Sequence, residues 1–230
     1  MFKIIIKFWL FGIFLTIFGL YFLPWSLILI WAGVSWLLVG LAYFSLGAKV
    51  FGKNPDGNMS IWSRLVLLPY LLGNGLIWHL QRVIFREDCY NEIIPRLIVG
   101  RRSFAQELPD DLSVIIDLTA EFVEPKDVMD GKIYICVPTL DASVPKDQDI
   151  INLVKTICYY HDRQKTIYIH CALGHGRAAA VAAGVLLSKG LVTDVDDALK
   201  FLKEKRSSVK LNSVQIEGLE RLNIGKQINV

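Results

Sequence analysis

Cys171 and Arg177 stand six positions apart with Gly174 and Gly176 between them, and the chemistry of the chain concentrates there. A thiol becomes a strong nucleophile once ionised, and a helix N-terminus or a nearby cation lowers its pKa to roughly 3.5–7.5. A guanidinium grips two oxygens of one phosphate with its planar fork. Glycines between the two let the backbone approach a ligand and turn successive N–H groups toward it. The segment Thr166–Ser188, TIYIHCALGHGRAAAVAAGVLLS, supplies the scaffold. A β-prone run, Thr166–Ile169, leads in, and a run of small apolar residues, Ala178–Leu187, leads out with the composition of a buried helix. A strand, a glycine-containing loop and a helix N-terminus in that order suit an anion, because N–H groups converge and the dipole adds positive potential. The plain alternative is that Cys171 is a buried small hydrophobe.

His170, Cys171, Gly174 and Arg177 together read HCxxGxxR, and over about Glu92–Leu222 the chain resembles the cysteine-dependent dual-specificity and protein tyrosine phosphatase superfamily. The resemblance implies an α/β fold with a mostly parallel sheet flanked by helices. It implies phosphomonoester hydrolysis through a phosphocysteine intermediate, with no metal and no cofactor. Cys171 would be the nucleophile and Arg177 the phosphate clamp. His170 would orient the loop, and Ala172, Leu173, Gly174, His175 and Gly176 would line the phosphate with Arg177. The family places an acidic residue about thirty positions before the cysteine, and Asp141 lies at that distance in Val137-Pro138-Thr139-Leu140-Asp141. Such an acid protonates the leaving oxygen, a contribution of about 10²–10⁴-fold, and its carboxylate then activates water. Asp147 and Asp149 compete for the role, but either also suits a helix N-terminus. Glu121 is a weak further candidate. His175 offers a titratable cation beside the phosphate or is a solvated loop residue.

One position departs from the family pattern. A hydroxyl residue usually follows the arginine and stabilises the thiolate that leaves in the second step; here Ala178 stands there. A slow second step keeps open a weakly active protein that mainly binds phosphorylated ligands. The acid at Asp141 favours the enzyme, since a binder has no use for it. Rhodanese-like sulfur transfer also builds an anion loop on cysteine, but it needs no Asp141.

The elements that must hold this loop follow from the rest of the chain. Of 230 residues, 53% are hydrophobic, and the mean hydropathy is +0.41, which is high for a soluble domain. The excess lies at the N-terminus. No charged residue occurs from Phe8 to Ala48, room for two helices of about 20 residues each. Spans are expected at Phe8–Leu23 and Ser26–Ala48, joined by a turn at Leu23–Ser26. A cleaved signal peptide is disfavoured because no small-residue cleavage pattern appears and a second apolar run follows at once. Residues 1–85 hold six basic residues against Asp56 alone, for +5, and the remainder carries −2, summing to +3. That balance points to anionic lipid and not to nucleic acid. Lys49–Ser60 is a linker turning at Asn54–Gly57. Ile61–Phe85 is apolar but carries Pro69 and Gly73-Asn74-Gly75, so an interfacial amphipathic helix is expected there, with a third span as the alternative.

The domain plan is therefore two transmembrane helices in residues 1–48, a linker and interfacial helix in 49–87, and a catalytic domain in 88–230. A hairpin is expected at Ile94–Gly100, strands at Ser113–Asp117 and Lys132–Val137, and a helix at Gln148–Tyr160. Thr193 is the expected cap of the next helix and Asn212 that of the last, Ser213–Asn223. Cys89, Cys136 and Cys158 have neither disulfide nor metal spacing and are assigned to packing. A catalytic thiolate needs a reducing compartment. The expectation is a multi-pass protein of a bacterial inner membrane with its catalytic domain cytoplasmic. Its partners would be the bilayer and a phosphorylated lipid of phosphatidylglycerophosphate or phosphoinositide type. The alternative substrate is a phosphorylated membrane protein.

Overall fold

The structure, a computed structural model, describes residues 2–23 and 26–222. Internal contacts divide it into two units, Met1–Arg86 with Ala120–Val123, and Glu87–Thr119 with Glu124–Val230.

The first unit is helical. It comprises α1 (Phe2–Tyr21), α2 (Leu27–Leu41) continued by a π turn and a 3-10 turn to Phe51, and α3 (Ile61–Phe85). Helix α1 starts earlier than the uncharged run because lysine is a good helix former, so Lys3 and Lys7 lie inside it. Pro24 and Trp25 of the expected turn lie outside the described residues. Small residues set the packing of α1 on α2. A Cβ at Gly33 would stand 2.7 Å from the Gly12 carbonyl oxygen, so the two backbones are in contact, as is common between membrane helices. The π turn ends at Gly47, whose φ of 67° favours glycine. The linker turn forms as expected, with the Gly57 amide donating to the Asn54 carbonyl at 3.0 Å.

Helix α3 departs from expectation in being unbroken across Pro69. Proline has no N–H, which deprives the Leu65 carbonyl of its donor. The Trp31 indole of α2 supplies one, lying 3.2 Å from the Leu65 and Val66 oxygens. Ser35 Oγ accepts the Tyr70 amide at 3.3 Å. Neighbouring helices restore freed backbone bonds in membranes in this way. All three helices are long and apolar enough to cross a bilayer. Exposed apolar residues run the length of α3, among them Ile61, Leu65, Leu72, Leu76, Leu80 and Ile84, and Arg64, Asn74 and Arg82 interrupt the run.

The second unit carries a five-stranded sheet ordered β1-β2-β5-β3-β4. Its strands are β1 (Tyr90–Ile94), β2 (Leu97–Arg101), β3 (Leu112–Thr119), β4 (Ile133–Thr139) and β5 (Thr166–Cys171). Only β1 is antiparallel to its neighbour. Central parallel strands are covered on both faces and read as continuous apolar runs; Ile115, Ile116, Ile167 and Ile169 are fully buried. The hairpin is longer than expected, spanning β1 and β2 about a turn at Pro95-Arg96, with Arg96 at a φ of 66°. After the short α4 (Lys126–Met129) come α5 (Asp147–Asp162), α6 (Arg177–Ser188), α7 (Val195–Lys205) and α8 (Ser213–Leu222). These last four cover one face through residues such as Ile157, Val181, Leu202 and Leu219. The other face holds a smaller cluster of Ile98, Ile115, Val128 and Tyr168. Thr193 does not cap α7. Asp194 does, accepting the Asp197 amide at 2.8 Å, because its carboxylate also meets the helix dipole. Asn212 caps α8 as expected, accepting the Gln215 amide at 3.0 Å, while Asn223 lies outside the described residues.

Candidate functional site

The loop between β5 and α6 lies at the carboxyl ends of the parallel strands, where open α/β sheets bind ligands. In the register, His170 lies opposite Gly100 of β2 and Asp117 of β3, and Cys171 lies opposite Arg101. The loop then folds back on the sheet. A Cβ at Gly174 would stand 2.4 Å from the carbonyl carbon of Gly100 and 2.8 Å from the Arg101 amide. Gly174 also has a φ of 76°, so space and backbone conformation both require glycine there. Its amide donates to Cys171 Sγ at 3.2 Å. The loop's carbonyls face outward to other donors. The Ala172 oxygen accepts from the Arg102 amide at 3.2 Å and the His175 oxygen from the Lys210 amide at 2.9 Å. The Leu173 oxygen accepts from Arg206 Nη2 at 3.1 Å. With its carbonyls so bound, the loop has the polarity of an anion cradle.

Arg177 is the first residue of α6 and is 1% exposed. Its Nη1 donates to the Thr139 carbonyl at 2.9 Å at the end of β4. Its Nη2 lies 3.4 Å from Asp141 Oδ1. Asp141 therefore stands at the mouth of the same loop, with its side chain 73% exposed. The competitors are placed elsewhere. Asp147 is held by Arg221, with oxygens 2.6 and 3.2 Å from the guanidinium, and Asp149 sits in the acidic first turn of α5. Glu121 belongs to the four-residue stretch that groups with the helical unit. Ala178 is fully buried behind Arg177.

Beneath the loop lies a buried polar lattice. His170 Nε2 is 3.9 Å from Asp117 Oδ1. Asp117 accepts the Thr119 amide at 2.7 Å and the Tyr134 hydroxyl at 2.6 Å. Burial and the adjacent Asp117 carboxylate push the Tyr134 phenol far up, so it remains a donor. Glu124, 2% exposed, pairs with Arg102 Nε at 3.5 Å. Asp117, Glu124 and His170 bring three donor atoms within 4.8 Å of one another, the one grouping of metal-ligand type among the described residues. The partners of Asp117 and Glu124 tie the cluster into the surrounding structure beside His170.

On the outer side, His175 Nε2 lies 2.6 Å from Glu87 Oε2, so its ring is tied to a carboxylate and is not a free solvated side chain. Burial pushes the Glu87 carboxyl up, but His175, Ser208 and Arg206 together outweigh it and hold Glu87 below its ordinary value. Arg206 completes this side. It is 3% exposed and also donates to Asn91 Oδ1 at 2.7 Å. The sequence reading missed Arg206 and Gly100. A single arginine after a basic helix end looks like dipole compensation, and a glycine in a strand gives no sign of what approaches it. Cys158, expected in the core, is half-buried against it, with Sγ 3.8 Å from Ser188 Oγ.

Comparison with known proteins bears on the same region. The family model for the dual specificity phosphatase catalytic domain matches residues 103–223. Protein tyrosine phosphatase type IVA 3 of Mus musculus is 30% identical over 95 residues, covering 40% of this chain and 53% of that protein. The chain thus spans about half the length of this curated relative. Among solved structures, PTPMT1 in complex with PI(5)P superposes with a TM-score of 0.55 at 19% identity, over 61% of this chain and 97% of that one. Tk-PTP in the active form gives 0.54 at 22%, over 59% and 96%. At these identities the two structures attest the fold.

Proposed function

Since the chain belongs to the dual-specificity phosphatase family, we propose that it hydrolyses phosphate monoesters at a membrane through a phosphocysteine intermediate. The observation that carries the reading is Cys171 Sγ, cradled by the Gly174 amide in a loop whose arginine meets Asp141. The thiolate of Cys171 attacks phosphorus, and the ester oxygen departs with the proton of Asp141. Arg177 and the loop amides hold the equatorial oxygens as charge shifts through the transition state. The Asp141 carboxylate then takes a proton from water as that water attacks the phosphocysteine. This step releases phosphate and restores the thiolate, while Asp141 recovers its proton.

The substrate in this reading is a phosphorylated lipid of phosphatidylglycerophosphate or phosphoinositide type. Three apolar helices precede the catalytic unit, and PTPMT1, similar in fold, is known in complex with PI(5)P. Helix α3 lies in the interface in this reading, because Arg64, Asn74 and Arg82 interrupt its apolar run. Lys3, Lys7, Lys49 and Lys53 then flank an α1–α2 hairpin on its cytoplasmic side, and Cys171 works in a reducing compartment. A second reading, a phosphatase of membrane proteins, is favoured by the similarity to protein tyrosine phosphatase type IVA 3.

The test presents the full-length protein in anionic vesicles with phosphatidylglycerophosphate, phosphoinositides, and phosphotyrosyl and phosphoseryl peptides. Much faster lipid turnover is expected. Faster peptide turnover would transfer the assignment to the second reading, and no turnover of any would leave a phosphate-binding protein. In intact cells an impermeant thiol reagent should spare Cys89 and Cys171; labelling of either would overturn the orientation.

A further inference from the structure

Asp141 has to deliver its proton to a defined oxygen, yet its side chain is largely exposed, and Arg177 is its one ion-pair partner among the described residues. Its aim is therefore set by the backbone that follows, and that backbone hangs from α8. Asn212 Nδ2 donates to the Ala142 carbonyl at 2.9 Å. Gln215 Nε2 donates to the Ser143 carbonyl at 3.1 Å. The same two residues cap each other: the Gln215 amide donates to Asn212 Oδ1 at 3.0 Å, and the Asn212 amide to Gln215 Oε1 at 3.1 Å. This is a reciprocal cap of the capping-box kind, in which each side chain already satisfies one helix-terminal group. Each amide also has N–H donors to spare, and both donate into the acid loop.

Two further observations make this a mounting and not an incidental contact. Ala142 has a φ of 58°, a conformation an alanine holds only when its surroundings impose it. Gln215 is 1% exposed and also abuts the phosphate loop, since a Cβ at Gly176 would stand 2.9 Å from its Nε2. One side chain thus touches the loop that holds the nucleophile and the loop that holds the acid. Lower down the helix, a Cβ at Gly218 would meet Val144 Cγ2 at 2.8 Å, and Arg221 grips Asp147. Helix α8 and its cap thus reach Ala142, Ser143, Val144 and Asp147 in turn.

We propose that Asn212 and Gln215 are positioning residues for the proton donor, fixing the height of Asp141 above the Cys171–Arg177 loop. The proposal rests on Asp141 being that donor. Misplacing a reacting group by about 1 Å can cost about 10²-fold, so loss of either side-chain donor should remove much of the acid's contribution and leave the nucleophile and clamp in place.

The test uses the full-length protein in detergent with two aryl phosphates, para-nitrophenyl phosphate, whose leaving oxygen needs little protonation, and phenyl phosphate, whose leaving oxygen needs more. Asn212→Ser keeps an oxygen for the helix cap but has no N–H for Ala142. Gln215→Glu keeps an acceptor for the Asn212 amide but no N–H for Ser143. In each variant kcat/KM for phenyl phosphate should fall about 10-fold or more, against about 2-fold for para-nitrophenyl phosphate. The alkaline limb of the kcat–pH profile, which a proton donor creates, should weaken in parallel with Asp141→Asn. Equal losses on both substrates, or no loss on either, in both variants would overturn the proposal and leave α8 a structural support. If Asp141→Asn itself shows no leaving-group selectivity, the acid assignment falls and takes the proposal with it. Selectivity in Asp141→Asn that both α8 variants lack would remove the proposal alone.

Discussion

Gly174→Ala tests the cradle most directly, because two independent penalties meet at one atom. A left-handed conformation costs an L-residue about 1–2 kcal/mol, and Gly174 holds a φ of 76°. The new Cβ would lie 2.4 Å from the carbonyl carbon of Gly100 and 2.5 Å from its oxygen. Both neighbours are backbone within a central strand and cannot swing aside, so the loop must lift by about 1 Å, an overpacking cost of about 1–3 kcal/mol. The sum is about 2–5 kcal/mol, and a domain of this size loses about 2–4 °C in melting temperature per kcal/mol. The lift carries away the amide that meets Cys171 Sγ at 3.2 Å, and about 1 Å of displacement costs about 10²-fold in rate. The assay pairs thermal unfolding of the full-length protein in detergent with kcat/KM on para-nitrophenyl phosphate. A variant with wild-type melting and wild-type turnover would refute the argument that the loop is pressed against β2 and holds the thiolate by its amide.

Three further outcomes are expected. Cys171→Ser should abolish turnover while retaining phosphate binding, and Arg177→Ala should lose both, as read by turnover and by calorimetric titration with inorganic phosphate; turnover in Cys171→Ser would sink the mechanism. Without a hydroxyl at Ala178 the hydrolysis of phosphocysteine should limit the rate, so rapid mixing should show a burst of leaving group and Ala178→Ser should raise steady-state turnover; no burst with an unchanged rate would assign that work to another group. Glu87 has a folded pKa held below its ordinary 4.5, so the stability it contributes is present above that value and is lost as pH falls through the folded one. Melting temperatures of Glu87→Gln and the parent should therefore differ most near neutral pH and converge in acid; a constant difference down through that range would contradict the pairing of Glu87 with His175 and Arg206.

Sequence and structure agree where a local pattern has one physical solution. The run from Thr166 to Ser188 could only be strand, turn and buried helix, because its lead-in is β-prone and its exit is too small and apolar for a surface helix. Asp141 was legible from its distance to Cys171, and the structure brings it to Arg177. What escaped depended on contacts distant in sequence. Pro69 reads as a helix breaker until Trp31 is seen to take over its lost hydrogen bond. Thr193 is as good a cap as Asp194 on paper, and only the observed bond to the Asp197 amide separates them. Arg206 and Gln215 act on loops thirty or more residues away, and no periodicity marks a side chain for that work.

The strand order has a consequence for how the chain is made. The antiparallel pair β1–β2 and the parallel pair β3–β4 share no ladder with each other; β5 lies between them and is hydrogen-bonded to both. Until residues 166–171 have been synthesised, the growing chain holds two half-sheets, each with an open edge. The last strand to arrive is also the strand that ends in Cys171. Closure of the sheet and assembly of the reactive thiol's surroundings are therefore one event, dominated by pairings far apart in sequence, which are the slow ones to form. A ribosome-bound chain halted before β5 would present both edges and no nucleophile, whereas a completed chain gains its fold and its reactivity together.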